Sequence, residues 1–281
     1  MDVEKLTERE LAGFARRLRE EEYAGGSIEL YLRSARKLAA WLGERRLEKA
    51  AVLEWKDSLL AEGLSPATVN SMLAAVNRLF RFLDREDCRV RAIKIQKALF
   101  RSETRDLSRE EYLHLVETAE ERGQKRLALL LETVCSTGIR VSELRYVTVE
   151  AAREGRTDVS LKGKLRTILL PPKLCRKLLK YARRQKLNSG ELFRTRSGGS
   201  LSRKQIWAEL KALSKKAGIS AAKVFPHNLR HLFAKTFYRA YRDISKLADI
   251  LGHSSIETTR IYLLSTGLEH ARQMSRLGLV R

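Results

Sequence analysis

The chain has 281 residues and a formal net charge of +22, from 56 Lys and Arg against 34 Asp and Glu, an excess that implies a polyanionic partner, nucleic acid first. No apolar run approaches the roughly 20 residues of a membrane span and no signal peptide opens the chain, so a cytoplasmic protein without a membrane partner is expected. Cys88, Cys135 and Cys175 are odd in number and far apart, which fits free thiols better than a disulfide or zinc framework.

Thr7 caps a helix through about Glu22, with Leu11, Phe14, Ala15 and Leu18 on one face, and Gly25-Gly26 ends it. Ser27 opens a second helix, with Ile28, Tyr31, Leu32, Ala35, Leu38, Ala39 and Leu42 on one side. A third runs from about Glu48 to Ala61. Ser65-Pro66, an N-cap followed by a first-position proline, starts a fourth with Val69, Met72, Leu73, Val76, Leu79, Phe80 and Leu83 inward. Residues 1–84 therefore read as an all-α four-helix domain. Off its apolar stripes lie Arg33, Arg36, Lys37, Asn70, Asn77, Arg78 and Arg81. Singly these fit a solvated face; as a group, beside so large a net charge, they read as a phosphate-binding face. Over 85–106 the apolar period fades and charges of both signs crowd in, as in an interdomain linker.

From 107 to 281 the texture is mixed. Ser108 and Glu111 make a capping box, and the run Leu127 to Val134 is apolar almost all round, which places that helix at the centre of a core. It ends at Thr137-Gly138, delivering Arg140 at the start of the next helical turn and Glu143 one turn on. Thr157 to Leu161 and Leu165 to Leu170 are β-prone runs around Lys162-Gly163-Lys164, a hairpin with a tight basic turn. Pro171-Pro172 closes the strand. Helices follow at about 173–185 and 202–217, the second carrying Arg203, Lys204 and Lys211 as candidates for a DNA groove or as a solvated charged face.

His227, Arg230 and His231 stand at i, i+3 and i+4 and share one helical face. Ile244, Leu247, Ala248 and Leu251 keep helical spacing up to Gly252, a left-handed C-cap, so His253 sits just past a helix end. Ser254 and Glu257 form a capping box that starts the helix carrying Tyr262, nine residues beyond His253. A metal site is not expected: no Glu follows His227 as a zincin motif requires, and Arg230 would repel a cation. After Gly267, Leu268, Ala271, Met274 and Leu277 mark a terminal helix that docks on its own domain or on a neighbouring protomer.

His-x-x-Arg at 227–230, Leu-Gly-His at 251–253, Tyr262, and Thr-Gly-Ile-Arg-Val-Ser-Glu-Leu at 137–144 together resemble the tyrosine recombinase (phage integrase) family, with its Xer-like site-specific recombinases. The resemblance implies a two-domain, C-shaped protein, mainly α with a small β-hairpin. An N-terminal four-helix, SAM-like DNA-binding domain would precede a mixed, mostly helical catalytic domain with a C-terminal exchange helix. It implies that Tyr262 attacks a phosphodiester, leaving a 3′-phosphotyrosyl bond and a 5′-hydroxyl, and that Arg140 and Arg230 hold the phosphate. His227 would accept the proton and His253 would donate to a phosphate oxygen. Glu143 would orient Arg140, or be an exposed first-turn acid; His231 would pack beneath Arg230. The family's Gly-Lys-Gly-x-Lys pattern is shortened here, which makes Lys162 the first choice for protonating the leaving oxygen and Lys164 its competitor. The partners implied are double-stranded DNA and further copies of the chain in a synaptic tetramer, with no metal, ATP or other cofactor. The task would be integration and excision of an element, or replicon dimer resolution. A type IB-like topoisomerase and an inactive DNA-binding protein of the same fold are the alternatives.

Overall fold

Helix starts in this chain are written in side chains that supply missing hydrogen-bond partners. The Thr7 amide donates to Glu10 at 2.6 Å, Ser65 accepts from the Thr68 amide, and Ser108 and Ser202 each close a capping box, with Glu111 and Gln205. The computed structural model describes residues 6–95, 106–161, 164–260, 262, 275 and 276, and the chain divides into two compact units, Met1–Lys97 and Ala98–Arg281.

In the first unit α1 (Glu8–Glu20), α2 (Gly25–Leu42), α3 (Lys49–Ala61) and α4 (Pro66–Phe82) bury the expected stripes, with Phe14, Leu18, Leu38, Trp55, Leu73 and Phe80 among the fully covered side chains. One boundary differs from the sequence reading. The break after α1 is made at Glu22, φ +57, and Gly25-Gly26 form the first turn of α2, where amides need no intrahelical partner.

Residues 86–93, expected in a linker, belong to this packed unit. Cys88 and Val90 are buried in the core around Trp55, and two asparagines of α4 hold the strand-like segment that follows. Asn77 donates Nδ2 to the Val90 carbonyl at 2.9 Å and accepts the Val90 amide at 3.1 Å. Asn70 does the same to Ile93, at 2.9 and 2.7 Å. Each carboxamide thus replaces a missing β partner. The match is geometric: seven residues of helix rise about 10 Å, as do three residues of extended chain.

In the second unit α6 (Lys125–Thr137) is the central helix, with Leu127, Leu130, Leu131, Thr133 and Val134 buried. Around it lie α5 (Arg109–Glu121), a 3-10 segment at Val141–Tyr146, α7 (Val149–Glu154), α8 (Pro172–Arg184), α9 (Arg203–Lys216), α10 (Pro226–Tyr241), α11 (Ile244–Leu251) and α12 (Ile256–Arg260). The short α7 lies outside the sequence reading; Thr148 caps it by accepting the Ala151 amide. Strands β1 (Arg156–Leu161) and β2 (Lys164–Leu169) pair antiparallel from Arg156↔Leu169 to Leu161↔Lys164. Val159, Ile168 and Leu170 face the core, and the two β-prone runs pair as the hairpin expected of them. α12 starts through Ser255, whose hydroxyl accepts the Glu257 amide, rather than through Ser254. The expected terminal helix after Gly267 lies outside the described residues except at 275 and 276.

Candidate active site

Two left-handed glycines deliver the key loops. Gly138 (φ +63) ends α6, and a Cβ there would meet the Phe233 ring at 2.5 Å and Leu251 at 2.9 Å, so only glycine lets α6 end against α10 and α11 and present Arg140. Gly252 (φ +64) ends α11, and a Cβ there would overlap the Arg166 side chain. His253 follows it.

Arg140 is anchored by Glu143: its amide donates to Oε2 at 2.8 Å and its Nη1 to Oε1 at 2.9 Å, while Nη2 reaches the Gly252 carbonyl at 3.2 Å. The Arg140 side chain remains 41% exposed whereas that of Glu143 is 2% exposed. Glu143 is therefore a buried counter-ion, and the exposed first-turn acid is the reading that fails. Arg230, on α10, is buried; it donates Nη1 to the Gly138 carbonyl at 2.5 Å and Nη2 to the Leu251 carbonyl at 2.7 Å. Burial, then the charge of Arg140, lowers its pKa to about 10, with the Tyr262 phenol opposing.

His253 lies between Arg230 and Thr259. Its Nε2 is 3.0 Å from Arg230 Nη2 and its Nδ1 2.8 Å from the Thr259 hydroxyl. A guanidinium can only donate, so Nε2 accepts and the proton sits on Nδ1. Burial first, then Arg230, Arg140 and Arg166, push its pKa down to about 4. The ring is thus neutral at physiological pH, and donation to a phosphate oxygen from Nε2 requires the Arg230 contact to be exchanged and the proton to move from Nδ1 to Nε2.

Tyr262, 5% exposed, lies two residues beyond α12 and packs its ring against three imidazoles. The His227 and His231 centroids are both 5.4 Å away and that of His253 is 5.7 Å away, stacked at 9°. His227 is exposed at the mouth. His231 is buried, so it forms a wall of the tyrosine's pocket as well as lying next to Arg230 in sequence. Its Nδ1 is 3.7 Å from Asp106, whose other oxygen takes Lys235 at 2.6 Å.

Lys162 lies outside the described residues, and of Lys164 only the backbone, at the start of β2, is described. Sequence reasoning missed Arg166, Thr259 and Asp106. Arg166 had a readable signal: it shares a strand face with the core residues Ile168 and Leu170, and a cation at that parity demands a partner. Among the described residues no group of three or more His, Cys, Asp or Glu could hold a metal ion, and no helix is long and apolar enough to cross a membrane.

A family model described as "Phage integrase family" matches residues 105–267, which carry every side chain of this cluster. The chain belongs to the phage integrase family, the tyrosine recombinases. The tyrosine recombinase XerA of Pyrococcus furiosus is 34% identical over 238 residues, 81% of this chain and 80% of the relative. XerD of Vibrio cholerae is 28% identical over 262 residues, 86% of this chain and 87% of its own. Solved structures share the fold of this recombinase. A XerA recombinase matches with a TM-score of 0.53 at 22% identity over 97% of this chain and 98% of its own. A lambda integrase tetramer bound to a Holliday junction matches with a TM-score of 0.74 at 18% identity, over 90% of this chain and 76% of that one.

The side chains suggested for DNA contact fall into three groups. Arg33 and Arg36 are exposed on α2, and Arg203 and Lys204 on α9. Exposed Lys211 lies 3.8 Å over the ring of Trp207, giving α9 a face of cations and one aromatic. Lys37, Arg78 and Arg81 are paired with Glu62, Glu21 and Glu86. Asn70 and Asn77 are corrected: their carboxamides are spent on Ile93 and Val90, so their task is structural.

Proposed function

We propose that this recombinase cuts and rejoins double-stranded DNA at specific sites through a 3′-phosphotyrosyl intermediate at Tyr262. The observation that carries the reading is the Tyr262 ring packed among three imidazoles, one of which, His253, meets the Arg230 guanidinium at 3.0 Å. The phenol, with an ordinary pKa near ~10, needs a proton acceptor at neutral pH. His227, the exposed imidazole, takes that role. The tyrosyl oxygen bonds to phosphorus and the P–O5′ bond breaks. Lys162, or Lys164, gives its proton to the departing 5′ oxygen.

Arg140 and Arg230 stabilise charge on the phosphoryl oxygens, a task suited to a planar fork that stays protonated. Glu143 is shared by Arg140 and Arg166, while Arg230 meets the Gly138 and Leu251 carbonyls and the neutral His253, and this excess of positive charge favours an entering phosphodiester. As the phosphate draws Arg230 toward it, His253 Nε2 is released; the ring proton moves from Nδ1 to Nε2, which donates to the phosphate while Nδ1 accepts from the Thr259 hydroxyl. The bond energy is kept in the phosphotyrosine, so a 5′-hydroxyl from a second duplex reverses the reaction without ATP.

Tetrameric action on DNA is supported by the fold shared with the lambda integrase tetramer bound to a Holliday junction. The names of the Xer relatives favour a recombinase over a free-standing topoisomerase. Action on DNA places the protein in the cytoplasm, with Arg33, Arg36, Arg203, Lys204 and Lys211 on phosphates. A nicked substrate carrying the cleavage site should trap a covalent adduct with the wild-type chain, and Tyr262→Phe should abolish it while DNA binding stays within about twofold, as expected for loss of one hydroxyl away from the backbone contacts. Adduct formed by the Phe variant would refute the assignment.

A further inference from the structure

Arg166 has no role in the sequence reading, yet its fork joins the site's parts. On β2 it faces inward, with a side chain 12% exposed. Its Nη2 donates to Glu143 Oε2 at 3.0 Å and its Nη1 to the Leu251 carbonyl. Both acceptors are shared with the arginines proposed to hold phosphate: Glu143 also takes Arg140, and the Leu251 carbonyl also takes Arg230. The path of the Arg166 side chain is the space a Cβ on Gly252 would fill. One strand is thereby bolted to both arginines and to the turn that carries His253. Two residues before Arg166, at the start of that strand, stands Lys164, and Lys162 precedes it by two in the sequence.

We propose that Arg166 is a positioning residue: it fixes the β1–β2 hairpin against Arg140, Arg230 and the Leu251–His253 turn, so that the proton donor on the hairpin meets the 5′ oxygen of the phosphate those arginines hold. The consequence for chemistry rests on the phosphotyrosyl reading; the mechanical link stands on the contacts alone. Two acceptors approached from two edges of one plane suit a guanidinium, and an ammonium or carboxamide cannot satisfy both.

The test uses Arg166→Ala and Arg166→Gln in the full chain, on two nicked substrates that differ in one atom: an oxygen or a sulfur bridging phosphorus and the 5′ carbon at the cleaved bond. A thiolate leaves without a proton, whereas the alkoxide requires one. With the oxygen substrate, adduct formation should slow about 100-fold, the scale of an ångström of misplacement or of a missing general acid. With the sulfur substrate it should stay within about fivefold of wild type, because the proton step is bypassed. Amide exchange should rise in β1, β2 and residues 251–253, with α5 and α6 unchanged.

An equal loss on both substrates would overturn the proposal, since a general structural defect does not depend on the leaving atom. So would wild-type rates, or global unfolding of both variants. Absence of adduct with the wild-type chain on either substrate would instead defeat the phosphotyrosyl reading. The exchange measurement then decides the link by itself: unchanged protection of the hairpin refutes it, and a local rise supports it.

Discussion

Replacing Glu143 by Ala removes a carboxylate that serves three donors: the Arg140 amide at 2.8 Å, Arg140 Nη1 at 2.9 Å and Arg166 Nη2 at 3.0 Å. Gln is the weaker test, because the Arg140 amide and Arg166 share one oxygen, Oε2, which a carboxamide still presents. The Arg140 guanidinium is 41% exposed and regains water, so its share is discounted. The Arg140 amide and Arg166 are the costly losses. At about 1.5–3 kcal/mol for each hydrogen bond to a charged group, two of them give about 3–6 kcal/mol, and the range for breaking a buried ion pair caps this at about 5 kcal/mol. For a unit of this size 1 kcal/mol moves the melting temperature by about 2–4 °C, so the transition of the Ala98–Arg281 unit should fall by about 6–20 °C in scanning calorimetry. Adding Arg166→Met removes the stranded cation, and the double variant should lose at least about 1 kcal/mol less than the sum of the two singles. A fall under about 2 °C, or additivity within about 0.5 kcal/mol, would refute the reasoning that Glu143 is the shared counter-ion.

Asn77→Ala leaves the amide and carbonyl of buried Val90 without partners and should cost about 2–4 kcal/mol in the first unit; urea unfolding unchanged from wild type would return Asn77 to a DNA-binding role. The same variant should keep the slope of log K against log salt, while Arg33→Ala with Arg36→Ala should lower its magnitude by about 2, one for each phosphate no longer neutralised. His253, with its pKa lowered to about 4 from 6.5, takes up a proton more readily unfolded, so its contribution to stability is present above about pH 6.5 and is lost as pH falls towards 4. His253→Gln should therefore melt with a shallower dependence on pH in that window, and identical slopes would contradict the neutral imidazole. Adduct formation should persist in excess EDTA, since the proposed electrostatic groups are side chains; loss restored by a divalent ion would overturn the roles given to Arg140 and Arg230.

Much of this site is local, and what is local is legible. The spacing of His227, Arg230 and His231 places them on one face of α10 without knowledge of any neighbour. Glycine at 138 and 252 marks the two helix ends because left-handed backbone disfavours other residues, and the β-prone runs at 157–161 and 165–170 mark the hairpin. What joins these pieces is not periodic. Arg166 pairs with Glu143 across 23 positions and with Leu251 across 85, and a charged side chain is spelled the same whether it meets water or a buried partner. Asn70 and Asn77 looked like free polar groups for the same reason, until the segment 90–93 came to lie along α4. Asp106 looked like linker, until its carboxylate met Lys235 and stood beside His231. Sequence by itself determined which elements form and which reactive side chains they present, because helix caps, turns and amphipathic faces are decided within a few residues. Tertiary structure alone decided which charges are buried together, because desolvation and pairing depend on chain segments that only folding brings into contact.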